Sequence, residues 1–134
     1  MDITDWLREF IARHGGVAGT VHAVAGELLA LSASVNIPPP VIEVTRSIPI
    51  GKGMAGLAWE RDAPVHTCNL KSDATGDVRP GAKAVDASAA VALPVHHPGQ
   101  GGVRGVVGIA WPGERDITDA ELAALAREAE SAPI

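Results

Sequence analysis

Residues 48–69 read Ile48-Pro-Ile-Gly-Lys-Gly-Met-Ala-Gly-Leu-Ala-Trp-Glu-Arg-Asp-Ala-Pro-Val-His-Thr-Cys-Asn69, and this stretch decides the fold. The order is a Gly-rich turn, a short helix, a second turn and a strand. Gly51 and Gly53 permit backbone angles closed to other residues, and Gly56 lets the helix lie close against a neighbour. Leu57, Ala58 and Trp59 supply the apolar side of the helix, which Arg61 to Pro64 end with a turn. Val65 to Asn69 then offer a strand that Pro64 starts without interrupting. The three glycines also match a dinucleotide-binding fingerprint. That motif needs a strand running straight into the glycines and a long helix after them. Here Pro49 cannot donate to a central strand and Pro64 closes the helix early, so the glycines are read as structural.

Composition narrows the rest. The 134 residues are read as one domain with a single core. Hydrophobic residues at 46% and charged residues at 20% place the chain among globular rather than disordered proteins. No apolar run approaches the ~20 residues of a membrane span, and no signal-peptide pattern opens the chain, so a cytoplasmic location without membrane contact is expected. A net charge of -5 without a basic run argues against nucleic acid as partner. Trp6, Phe10, Trp59 and Trp111 are too few to build a base-stacking platform. The single cysteine, Cys68, excludes an internal disulfide and fits a reducing compartment.

Working outward, residues 1–16 predict an amphipathic helix with Thr4 as cap and Gly15-Gly16 as stop. Ile3, Leu7, Phe10, Ile11 and His14 share one face, bordered by Trp6. Gly19 to Ala25 and Glu27 to Val35 predict a hairpin turning at Gly26. Alternation puts Val21, Ala23 and Ala25 on one side and Thr20, His22 and Val24 on the other, with Leu29, Leu31, Ala33 and Val35 sharing a face. Pro38-Pro39-Pro40 ends this hairpin, and the segment after it is either a short helix or extended.

Lys71 to Ala90 has no clear period and is read as a long loop, of the kind that is more often functional than merely connecting. Ala89 to Val95 is a strand whose Pro94 marks an edge or a bulge. Pro98 to Gly102 form a hairpin tip, and Val103 to Trp111 the following strand. In the last helix, over residues 118–130, Thr118 and Glu121 form a capping box and Ile117 staples against Leu122. Leu122, Leu125, Ala126 and Ala129 make its buried stripe. Glu128 and Glu130 oppose the helix dipole, so its end is expected to fray.

The Gly-rich turn, the strand Pro64-Val-His-Thr-Cys-Asn69, the block Ala92-Leu-Pro-Val, the strand Arg104-Gly-Val-Val-Gly-Ile-Ala-Trp111 and the helix start Thr118-Asp-Ala-Glu-Leu resemble, in order and spacing, the GAF domain family of small sensory modules. The resemblance runs from about Gly19 to Ala129. It implies an α+β fold: an antiparallel sheet of five or six strands over residues 19–112, with N- and C-terminal helices on one face. Such N-terminal helices often pair between subunits, so a homodimer through the terminal helices is expected beside the simpler role of core packing. Were the protein a purely structural dimerisation module, Trp6→Ala and Phe10→Ala should dissociate it.

Within that family, Arg79-Pro-Gly-Ala-Lys-Ala-Val-Asp-Ala-Ser88 looks most like the free methionine-(R)-sulfoxide reductases. Those enzymes carry cysteines where this chain has Ala55 and Val85. Thiol reduction needs an attacking thiolate and usually a second thiol to resolve the sulfenic acid. With Cys68 alone, and elsewhere, no catalytic residue is assigned, and Cys68 reads as a small buried hydrophobe. His66 and Cys68 share a strand face, and with His22, His96 or His97 could form a zinc or haem set, but no reinforcing spacing exists. No metal or cofactor is expected.

The resemblance further implies a small-molecule pocket under the loop between the third and fourth strands. Carried over by position, it implicates Thr67 and Asn69 on the strand, Arg79 and Lys83 on the loop, and Asp86 and Ser88 near its end. Arg79 or Lys83 would hold a carboxylate or phosphate, and Asp86 an amine. The expected function is ligand sensing or regulatory binding to a signalling partner, without catalysis. A reductase on the same scaffold and a structural homodimer are the alternatives.

Overall fold

The computed structural model describes residues 2–67, 89–99, 101–113 and 115–134. Along the chain it contains α1 (Ile3–Arg13), β1 (Ala18–Ala25), β2 (Leu28–Val35), α2 (Pro39–Thr45), β3 (Ser47–Pro49), α3 (Gly53–Arg61), β4 (Val65–Thr67), β5 (Ala89–His96), β6 (Val103–Trp111) and α4 (Asp119–Ala129). The strands form one sheet in the order β3-β2-β1-β6-β5-β4 with antiparallel neighbours. This is the expected α+β architecture.

The helix ends follow local chemistry. Asp2, not Thr4, caps α1: its Oδ1 accepts the Thr4 N–H at 2.7 Å and the Asp5 N–H at 3.4 Å. A carboxylate at this position meets both the free N–H groups and the positive dipole end, which a threonine two residues later cannot do. At the other end Gly15, at φ 70°, turns the chain so that Gly16 N–H donates to Ile11 O and Gly15 N–H to Ala12 O. This is the Schellman closure that the two glycines predict. In α4, Thr118 Oγ1 accepts the Glu121 N–H at 3.1 Å. The reciprocal half of the capping box is not made, because the Glu121 carboxylate pairs with Arg115 instead. Ile117 and Leu122 both join the core, as a staple should.

Two cores lie on opposite sides of the sheet. On one, Leu7, Phe10 and Ile11 of α1 and Leu125 and Ala129 of α4 cover Val21, Val91, Leu93, Val107 and Ile109. Both terminal helices therefore share a face. Because Phe10 is buried here, Phe10→Ala would open a cavity in the protomer rather than dissociate an oligomer. Trp6 is half-buried, stacks on Phe10 at 5.0 Å between ring centres and donates from Nε1 to Ser131 Oγ at 3.0 Å. On the other side, α3 packs Ala58 among Leu29, Ile48, Val65, Ala92 and Val106, and α2 packs Val41 against Ala18 and Ala110.

The alternation expected for β2 breaks. Val21 pairs with Ala33 but His22 pairs with Leu31, so Ser32 is an extra residue in the ladder. This bulge sends Leu29 to the α3 side while Ala33 faces the terminal helices. A shared face for Leu29 and Ala33 is therefore corrected. Pro94 sits beyond the reach of β4, which pairs only with Ala90, Val91 and Ala92, and β5 shifts register between Val95 and His96. An open edge beside a bulge is where a strand tolerates proline.

β3 lies at the sheet's edge, where the lack of an N–H on Pro49 costs no ladder bond. The Gly-rich turn then leads into α3 with Gly51 at φ 79° and Gly53 at φ 66°. A Cβ on Gly56 would stand 2.6 Å from Pro49 O and 3.2 Å from Gly51 N. Both are backbone atoms, which cannot swing aside. Gly56→Ala should therefore lower the urea-unfolding free energy by about 1–3 kcal/mol, the usual cost of overpacking.

Candidate functional site

On the side that carries α2 and α3, the middle of the sheet is built from small residues. The ladders align Ala18 with Ala110 and Thr20 with Gly108 across β1 and β6, then Ala90 with Ala110 and Ala92 with Gly108 across β6 and β5. β4 extends the same side with Val65 opposite Ala92 and Thr67 opposite Ala90. The reverse sides of these strands carry Val21, Val91, Leu93, Val107 and Ile109. The contrast follows from period-2 alternation, with bulk to one face and near-absence of side chain to the other.

Thr20, Thr67, Ala90 and Gly108 are half-buried, whereas Ala18 and Ala110 are buried against Val41 of α2 and Ala92 is buried in the cluster under α3, so the described residues leave part of this floor uncovered. Thr20 leans across it: a Cβ on Gly108 would come within 2.9 Å of Thr20 Oγ1. Apolar walls come from Val41 and Met54. A shallow apolar floor with a few hydroxyls suits a small molecule that is enclosed by surface and oriented by a few hydrogen bonds. Chemically the floor can bind and orient. Its described polar side chains are the hydroxyls of Thr20 and Thr67.

His22 borders the floor on β1, opposite Val106, and is buried. Its Nε2 lies 2.8 Å from the Thr45 carbonyl oxygen. A carbonyl only accepts, so Nε2 carries the proton and Nδ1 is left as an acceptor, with no hydrogen-bond partner. Burial pushes the His22 pKa below its ordinary value, opposed more weakly by the Thr45 carbonyl. The ring is thus held neutral, pinning the end of α2 to the sheet.

Of the residues expected to bind ligand, Thr67 lies on β4 on the same side as Thr20 and the small floor. Asn69, Arg79, Lys83, Asp86 and Ser88, with Cys68, lie outside the described residues. His66 pairs with Val91 and faces the opposite side, exposed. Among the described residues no three His, Cys, Asp or Glu side chains converge as a metal site. His22 turns to α2, and His96 sits between Asp62 and Glu130. The sequence reading missed the floor itself, although its signal was present: small residues at alternate positions 18 and 20, 90 and 92, and 108 and 110. What was absent was the register that sets them side by side. A separate open groove lies at the β1–β2 turn, where Leu28 and Ile50 are exposed beside Pro49 and Trp59.

The lowered pKa of His22 makes stability depend on pH. The unfolded chain binds this proton more readily than the fold, so the contribution is complete above the ordinary histidine pKa near 6.5 and is lost as pH falls through the depressed folded value. His22→Leu should remove this acid-side decline. It should also lower stability at pH 7.5 by about 1–3 kcal/mol, because the buried Thr45 carbonyl loses its donor. Urea denaturation at several pH values reads both effects.

No family model matches the sequence, and no curated protein matches it. Solved structures do resemble the fold. The GAF domain of an Acinetobacter phosphoenolpyruvate-protein phosphotransferase superposes with a TM-score of 0.72 at 17% identity, over 98% of this chain and 82% of that one. A GAF domain/HD domain protein from Geobacter sulfurreducens gives a TM-score of 0.72 at 16% identity, covering 98% and 89%. The free methionine-R-sulfoxide reductase of Neisseria meningitidis, solved with its substrate, gives 0.68 at 18% identity, covering 95% and 77%. The protein therefore has a GAF-like fold.

Proposed function

We propose that this protein is a regulatory domain that binds a small molecule on the α2/α3 side of its sheet without transforming it. The observation that carries this reading is the floor of Ala18, Thr20, Ala90, Ala92, Gly108 and Ala110, set in register across three strands and backed by a fully packed opposite face. A protein that needed only a stable sheet would gain by filling that face with larger side chains. Thr67 and Thr20 supply polar atoms at its edge and centre. The GAF resemblance adds Asn69, Arg79, Lys83, Asp86 and Ser88 as ligand contacts, with Arg79 or Lys83 for a carboxylate or phosphate and Asp86 for an amine. Output would pass to a signalling partner or to a second copy through the terminal helices. In α1, Ile3 and Trp6 are the partly accessible large apolar residues for that role, since Leu7, Phe10 and Ile11 are buried against the protomer's own sheet.

A second reading, methionine sulfoxide reduction, draws support from the likeness to free methionine-R-sulfoxide reductases. Against it stands the single cysteine, which leaves no second thiol to resolve a sulfenic acid. Consumption of free methionine sulfoxide that Cys68→Ser abolishes would establish the enzyme.

Native mass spectrometry of freshly purified protein, set against the denatured mass, tests the ligand reading. The expected result is extra mass released on denaturation, and its loss in Ala90→Leu, whose side chain would fill the half-buried floor while the fold is retained. A fragment screen followed by amide shifts should likewise cluster at Thr20, Thr67, Ala90 and Ala92. Shifts confined to the Leu28–Ile50 groove would move the site off the floor and overturn the assignment.

A further inference from the structure

At the end of β5 the chain places a histidine between two carboxylates from different helices. His96 Nδ1 is 2.6 Å from Glu130 Oε2 and its Nε2 is 2.5 Å from Asp62 Oδ1. The His96 backbone N–H adds a 2.8 Å bond to Glu130 Oε1. A neutral imidazole has one N–H and would turn a lone pair toward one of these carboxylates, so the geometry selects the cation. Asp62 is the left-handed cap of α3 at φ 50°, and Glu130 is the cap of α4. The two helices belong to opposite layers of the fold: α3 covers the small-residue side and α4 the side of the main core.

We propose that Asp62, His96 and Glu130 form a proton-dependent latch that ties the end of α3 to the end of α4 around the sheet, and that losing the His96 proton frees both helix ends. The latch does not require a ligand and stands apart from the binding reading. Among the described residues, the charged groups that meet His96 are Asp62 from α3, Glu130 from α4 and, on its carbonyl oxygen, Arg104 from β6 at 2.8 Å. Arg104 also donates to the Glu130 and Ala132 carbonyls, each at 3.2 Å, and to the Ile134 carbonyl. The segment after α4 thus hangs on the same strand end, next to the latch.

The direction of the pH response follows from the cation. The hydrogen bond to Glu130, then that to Asp62, raises the His96 pKa above its ordinary value, and partial burial opposes them. The latch is at full strength below about pH 6.5 and is lost as pH rises through the raised closed-state value. Within that window the opening equilibrium should climb with pH, by at most about tenfold per pH unit for the one proton released.

The test uses the full chain. Imidazole shifts give the His96 titration, and amide exchange, corrected for its intrinsic pH dependence, reports opening at His96 and at Ala63 beyond α3. The expected result is titration above the ordinary histidine value, lowered in Asp62→Asn and in Glu130→Gln, with opening at both amides rising through the same pH window. His96→Gln should flatten that rise at both places. Asparagine accepts the left-handed backbone of position 62, so Asp62→Asn tests the link without straining the α3 cap. Titration of His96 at or below its ordinary value would overturn the latch. So would Ala63 protection that ignores Glu130→Gln, since α3 and α4 would then be uncoupled.

Discussion

One extra residue in the β1–β2 ladder governs how this small domain covers both sides of its sheet. Ser32 has no partner on β1, and the pleat of β2 reverses across it. Ala33 therefore faces α1 and α4, while Leu29 reaches over to Ile48, Ala58 and Val106 beneath α3. A ladder without the bulge would commit the apolar residues of β2 to a single face, because strand alternation admits no other outcome. The bulge lets an edge-side hairpin serve two cores, and β3 can then pair with the far half of β2.

The two cores differ in kind. Under the terminal helices the strands contribute Val, Leu and Ile, met by Leu7, Phe10, Ile11 and Leu125, and Trp111 seals the end with its Nε1 donating to His14 O at 2.8 Å. Under α2 and α3 the central strands contribute mostly alanine, glycine and threonine, with His22 and Val106 the larger residues among them. Stability is concentrated on the first side, and the second is left shallow. The larger cluster of buried side chains, under α1 and α4, anchors the sheet from one side, and the other side carries smaller clusters.

Charge arrangement holds the C-terminal helix in a way its own sequence does not announce. Glu128 and Glu130 lie at the end where the helix dipole is negative, and frayed residues are the natural expectation. Instead Glu128 is met by Arg13 and His14 from the end of α1, Glu130 by His96, and the last carbonyls by Arg104. The carboxylates that would have loosened the helix are what attach it. His22 and His96 then respond to protons in opposite senses: burial holds the first neutral, and paired carboxylates hold the second charged.

Much of this protein was legible as a string. The glycines at 51, 53 and 56, the paired glycines after α1, the cap at Thr118 and the alternation of β1 are local rules, acting over a few residues, and they predicted the elements, while the resemblance implied the α+β class. The N-terminal cap was misplaced only because Asp2 and Thr4 compete within one turn. The bulge at Ser32, the small-residue floor and the Asp62–His96–Glu130 cluster were decided by the tertiary structure. Each depends on which residues of separate strands and helices stand opposite one another. That register is a property of long-range pairing, set by packing the whole sheet at once, and no window of sequence contains it.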